Sequence, residues 1–305
     1  MAELELPGLS GNNPLGFLAA LGVQVAFAGT PFQPLVRWSD GVVPVPRVTA
    51  DLDHDGIVAR VLEVATQWRA EPALCPVPEA TDVKFPAAGI RTYLSEARHH
   101  RSGALAASLV AEGSLDAVTG KKAKPTDFHF TAGQMKFLAM ARKILASTTS
   151  DDLIEALVGP WQYTSKLPSL RWDIADDRAY ALSAFDPTDN TNNPKLTVPG
   201  AECLAILGLS MFPVFPGHRK TATTGCRGTW RDGSFSWPLW NRPATLNVAR
   251  TLVAHANAGC LGNGSLERAL PSLGVFRILE SSIRRNDRAM GLANFGPPEV
   301  VWWRD

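Results

Sequence analysis

Hydrophobic positions along the chain are spaced in three ways, and each spacing predicts a different kind of element. Residues 12–28 are apolar on nearly every side of a helical projection, which predicts a helix buried in a core and not laid across a surface. Asn13 is suited to cap that helix, and Pro14 falls at its first position, where a missing N–H costs nothing. Gly16 and Gly22 are each poorer than Ala inside a helix by roughly 1 kcal/mol. Their expected use is to let another backbone come close. The pattern returns later: Leu18-Ala-Ala-Leu-Gly-Val23 is matched by Leu204-Ala-Ile-Leu-Gly-Leu209, which Pro199-Gly200 introduces. Two readings stand, two buried helices in equivalent positions of two related halves, or two independent Ala- and Leu-rich helices.

Other segments carry a helical period on one face only. A helix is expected from about Ile57 to Trp68. In 128–146 a short strand is expected to feed a helix with Phe137, Leu138, Ala141, Ile144 and Leu145 on one face and Lys136 and Lys143 opposite. Thr131, with Gln134 three residues on, forms a capping-box pattern for it. Ser147 to Asp152 should cap a short helix that Gly159-Pro160 ends, and Thr245 should cap one from Leu246 to Ala258. The third spacing is extended: Leu35–Trp38 before a Ser39-Asp40-Gly41 turn, a hairpin turn at Asp232-Gly233, and a terminal strand over Val300–Trp303. Pro-rich stretches at 31–48 and 71–90, and the segment 161–199, read as edges and loops. These elements predict an α+β fold of two related halves, 1–155 and 156–305, packed as one unit.

Composition narrows the function classes. The chain has 305 residues, 45% hydrophobic and only 19% charged, with a net charge of +1. A core of good size is assured, and no global field draws the protein to nucleic acid or acidic membranes, so any such contact must come from local patches. Cys75, Cys203, Cys226 and Cys260 are scattered without a C-x-x-C pair, which fits reduced thiols. Acidic residues and Pro7 precede the first apolar run, unlike a secretory leader, and Phe17–Ala28 is too short to cross a bilayer. A soluble cytoplasmic protein with no membrane partner is expected.

Candidate chemistry lies in a few local clusters. Asp51-Leu-Asp53-His-Asp55-Gly56 opens like a calcium loop, yet its twelfth position is Leu62 and Glu63 is one residue off; capping of the next helix by Asp53 or Asp55 is the other reading. Arg91, Arg98, His99, His100 and Arg101 suit a solvated charged face. Lys121, Lys122 and Lys124 lie in a loop bounded by Gly and Pro, where flexible ammonium groups can follow a phosphate backbone. His218, Arg219 and Lys220 stand among hydroxyls between Gly217 and Gly225, without the order of a nucleotide-binding loop. They suit either backbone phosphate contact or a plain hairpin. Trp230, Trp237 and Trp240, interleaved with Arg231 and Arg242, suit either base stacking or burial as loop anchors. Arg284, Arg285 and Arg288 make one more basic patch. There is no G-x-S-x-G, no H-E-x-x-H and no helix-spaced histidine pair, so no catalytic residue, metal site or cofactor is assigned.

Some of these residues also carry a resemblance. Leu9-Ser-Gly-Asn-Asn-Pro-Leu-Gly-Phe-Leu-Ala-Ala-Leu-Gly-Val23 resembles the opening of proteins encoded in type I-G (formerly I-U) CRISPR loci. Val198-Pro-Gly-Ala-Glu-Cys-Leu-Ala-Ile-Leu-Gly-Leu209, followed by Phe212-Pro213, is similar to a second signature of those proteins. Arg171-Trp172-Asp173 and Trp237-Pro238-Leu239-Trp240 share that style. The resemblance implies a subunit of an RNA-guided DNA-targeting complex, similar to its large subunit or to an accessory component, since 305 residues is short for the large subunit. Implied partners are the other effector subunits, guide RNA, target DNA and the helicase-nuclease. The expected function is that of a non-catalytic subunit that contacts nucleic acid through Lys121, Lys122, Lys124, His218, Arg219 and Lys220. Two rivals belong to other classes: a metal-dependent nuclease or hydrolase using Asp51, Asp53 and Asp55, and a protein-only adaptor binding through its Trp-rich loops.

Overall fold

In the computed structural model the described residues are 3–49, 51–116, 119–131, 135–174, 196–216, 221–229, 231–285 and 293–304. The first half holds β1 (Glu3–Glu5), α1 (Pro14–Ala26), β2 (Leu35–Trp38), β3 (Pro46–Thr49), α2 (His54–Trp68), α3 (Ala87–Ala97), α4 (Gly103–Leu109), α5 (Phe137–Ser147) and α6 (Ser150–Val158). The second holds α7 (Pro199–Leu209), β4 (Val214–Pro216), β5 (Thr221–Thr223), β6 (Cys226–Arg227), β7 (Ser234–Trp240), α8 (Leu246–His255), α9 (Gly264–Ala269), β8 (Val275–Arg285) and β9 (Ala293–Trp303). The fold is α+β. Its strands form small antiparallel sheets with orders β1-β3-β2, β4-β5 and β6-β7-β8-β9.

Helix α1 is buried at every one of its residues, as is α7. Asn13 caps α1, its side chain accepting from Leu15 N at 3.0 Å. The two copies of the Leu-Ala-x-Leu-Gly motif pack on each other. A Cβ at Gly22 would lie 1.9 Å from the Leu204 carbonyl oxygen, and one at Gly208 would lie 2.0 Å from that of Leu18. The contact is reciprocal, each copy's glycine meeting the other copy's first leucine, as across a two-fold axis. Each helix is also followed by an antiparallel strand pair, β2-β3 after α1 and β4-β5 after α7.

Phe17 turns another face of α1 toward the sheets. Its ring lies 5.7 Å from that of Trp38 in the first sheet and 6.0 Å from that of Trp237 in the last. Trp237 Nε1–H donates to Gly11 O and Trp240 Nε1–H to Val36 O, so both indoles are satisfied inside the core. A single apolar cluster runs through residues of both halves.

The segment 163–174 ties down the starts of both central helices. Asp173 accepts from Asn13 Nδ2 at 2.9 Å and from the Tyr163 hydroxyl at 2.8 Å. Glu202, in the first turn of α7 and wholly buried, accepts from Ser169 Oγ at 2.6 Å and from Leu170 N at 3.2 Å. A buried carboxylate is tolerated only when so bonded.

Several expectations need correction at their edges. No strand forms at 128–130, and α5 begins only at Phe137, with Lys136 at its cap position. Thr131 therefore does not cap it; its hydroxyl lies 3.3 Å from His129 Nε2. The Pro-rich loop after α2 ends at Pro86, since α3 starts at Ala87.

Candidate nucleic-acid interface

The Lys121–Lys124 loop is braced on both sides. Ala123 N donates to Phe85 O at 2.7 Å and Ala87 N to Lys121 O at 2.9 Å, which pairs Pro86 with Lys122 in antiparallel register. On the other side Asp116 N donates to Lys122 O and Lys124 N to Ser114 O, both at 2.9 Å. The Asp116 carboxylate accepts from Thr119 N at 2.7 Å and Lys122 N at 3.1 Å, closing the turn. Gly120, at φ +63°, supplies the left-handed residue this turn requires.

Alternation across this short ladder sorts its side chains. Phe85 and Ala123 point into the core, while Lys84, Lys122 and Lys124 share the outward face, Lys84 falling opposite Lys124 by register. Lys121 is exposed at the turn. None of these four ammonium groups makes an ion pair with a described residue. Lys84 is a site residue that its position in a Pro-rich stretch hides; the signal is the two-residue alternation Asp82, Lys84, Pro86 around buried Val83 and Phe85. Nearby on α3, Arg91 is paired with Glu112 and so is already neutralised.

His218, Arg219 and Lys220 lie outside the described residues, as do Trp230 and Arg288. The strands on either side, β4 and β5, are paired from Val214↔Thr223 to Pro216↔Thr221. Trp237 and Trp240 are fully buried, so the base-stacking reading of these two is replaced by burial as anchors. Arg285 stacks its guanidinium over the Phe130 ring at 6.0 Å, a partly buried position.

The aspartate loop is a cap. Asp53 Oδ1 accepts from Gly56 N at 2.8 Å and starts α2 at His54. Among the described residues no group of three or more His, Cys, Asp or Glu side chains is placed to hold a metal ion. One arrangement looks catalytic by composition: His129 lies 2.8 Å from Asp82 Oδ1 and 3.3 Å from the Thr131 hydroxyl. Both contacts use the same ring nitrogen, Nε2, whereas a relay needs the hydroxyl and the carboxylate on opposite nitrogens. The cluster instead pins residues 129–131 onto the 81–85 loop. Burial alone would raise the Asp82 carboxyl, but the hydrogen bond and charge of His129, with Val83 N–H and Lys84, hold it below the usual range. All four cysteines are free thiols, and burial pushes Cys203 up to about 12, leaving it unreactive at neutral pH. No described helix is long and apolar enough to cross a membrane.

No family model matches the chain, and comparison with characterised proteins finds no significant similarity.

Proposed function

We propose that this protein is a non-catalytic cytoplasmic subunit of a type I CRISPR surveillance complex that holds target DNA or guide RNA by its backbone. The observation that carries the nucleic-acid reading is the face shared by Lys84, Lys122 and Lys124, with Lys121 beside it, on a ladder whose main chain is bonded from both sides. Like charges opposite one another on a ladder repel. A phosphate lying between them removes that repulsion and releases counterions. The resemblance of the Leu9–Val23 and Val198–Leu209 segments supplies the assembly. Within it, guide pairing reads the sequence, this chain reads charge and shape, and cleavage falls to the helicase-nuclease.

The test is purification of the tagged protein from cells that co-express its genomic neighbours, followed by analysis of bound RNA. A discrete RNA of uniform length, retained at moderate salt with several other proteins, supports the reading. Recovery of the chain alone and free of nucleic acid contradicts it.

A further inference from the structure

Helix α3 has the lysine ladder at one end and a second group of basic side chains at the other. Its first residue, Ala87, donates its N–H to Lys121 O at 2.9 Å, so α3 starts against the ladder. Its 11 residues then carry the chain about 16 Å away. There Arg98, His99, His100 and Arg101, all exposed, make the turn into α4. The turn is held by its main chain. His100 N donates to Ala97 O and Gly103 N to His100 O, both at 3.0 Å, and the buried Glu71 carboxylate accepts from Ser102 N at 2.7 Å. Arg98 Nε–H donates to His99 Nε2 at 2.9 Å, which sets those two side chains together. None of the basic side chains of this turn is ion-paired with a described residue. A cation at the C-terminus of α3 complements the helix dipole, which accounts for Arg98 at the cap position. It does not account for Arg101 and two imidazoles gathered beyond the cap.

We infer that the α3–α4 hairpin is a two-point seat for a nucleic-acid duplex, with the lysine ladder and the Arg98–Arg101 turn each holding backbone phosphates; this rests on the nucleic-acid reading above. The exposed stripe between the two points decides the class of ligand. Ala88, Thr92 and Ser95 recur along it at helical spacing, while Tyr93 is buried. Arg91, also exposed, is already paired with Glu112. Single-strand sites set aromatic rings among their cations for unpaired bases to stack on. This stripe has no aromatic side chain, so it suits a ligand whose bases are stacked inside and whose outside is phosphate. At 3.4 Å of axis per base pair, a span of about 16 Å covers about five pairs. A duplex is already straight and stiff, so resting it on both points costs little ordering, whereas a single strand must be held extended. Glu96, exposed near the far end of α3, is the charge that opposes the ligand.

The experiment is anisotropy titration of the full chain, across a salt series, with a labelled DNA duplex and with one of its strands. The inference predicts that the wild type favours the duplex. Arg98→Ala/Arg101→Ala should lower the slope of log K against log salt on the duplex by about 2, at about 0.9 per phosphate contact, and should remove the preference for duplex over strand. Glu96→Gln should tighten the duplex by about two- to fivefold, as expected when one exposed like charge is lost. Polyglutamate, a flexible polyanion, should displace the duplex only weakly; displacement as effective as that by unlabelled duplex would overturn the duplex assignment. If Arg98→Ala/Arg101→Ala keeps the wild-type slope while Lys84→Ala/Lys124→Ala lowers it, the second point is overturned and the nucleic-acid reading stands. If the wild type binds neither the duplex nor the strand, the nucleic-acid reading fails and takes the two-point seat with it.

Discussion

At Gly22 and Gly208 the absence of a side chain is what lets the core close. Each would place a Cβ within 2.0 Å of a carbonyl oxygen on the opposite helix, closer than any packing tolerates. Gly22→Ala and Gly208→Ala should therefore each destabilise the protein by about 3 kcal/mol or more, since overpacking of this kind forces the helices apart. Gly89 is the control. It lies in α3 with nothing within 4 Å of its would-be Cβ, so Gly89→Ala should be neutral or stabilising by up to about 1 kcal/mol. Urea unfolding of the three variants measures the contrast, and equal effects at all three positions would contradict the close-packing account. Asp82 gives a pH dependence at the same scale. Its carboxyl is lowered in the fold, so its contribution is complete above the unfolded value of about 4 and lost as pH falls through the lowered folded value. The Tm difference between wild type and Asp82→Asn should shrink as pH falls below about 4. A difference that does not move with pH would show that the carboxylate charge contributes nothing.

Among the elements, those with strong local signals were legible in advance. Asn13-Pro14 starts α1 where capping chemistry places the start, and the α5 face predicted from Phe137 to Leu145 is the buried one. Thr149 and Asp152 form a full capping box at α6. The Thr131 capping pattern failed because the helix begins only at Phe137, and the hydroxyl meets its near neighbour His129 instead. Half of the Asp53 ambiguity resolves in the same way: one carboxylate has one backbone amide to satisfy, and it caps α2. The lysine site was only partly readable. Lys121, Lys122 and Lys124 are adjacent in sequence, but Lys84 joins them through a ladder between segments nearly forty residues apart, which periodicity within one segment does not encode.

For the molecule as a whole, the reciprocal meeting of α1 and α7 makes one core from both halves, and the surfaces that core supports carry the functional contrast. A net charge of +1 offers no general attraction to a polyanion. Nucleic-acid affinity must then come from few, local cations, and its salt dependence should be correspondingly shallow. The measurement that bears most directly on this is the affinity of the full chain for a single strand across a salt series, for the wild type and for a variant with Lys84, Lys121, Lys122 and Lys124 all changed to Ala. Each phosphate contact removed should lower the slope of log K against log salt by about 0.7. Loss of all four lysines should therefore flatten it by about 3, with thermal unfolding little changed because these side chains sit at the surface. A slope that is the same in both proteins, or a wild type whose binding does not respond to salt, would contradict the account.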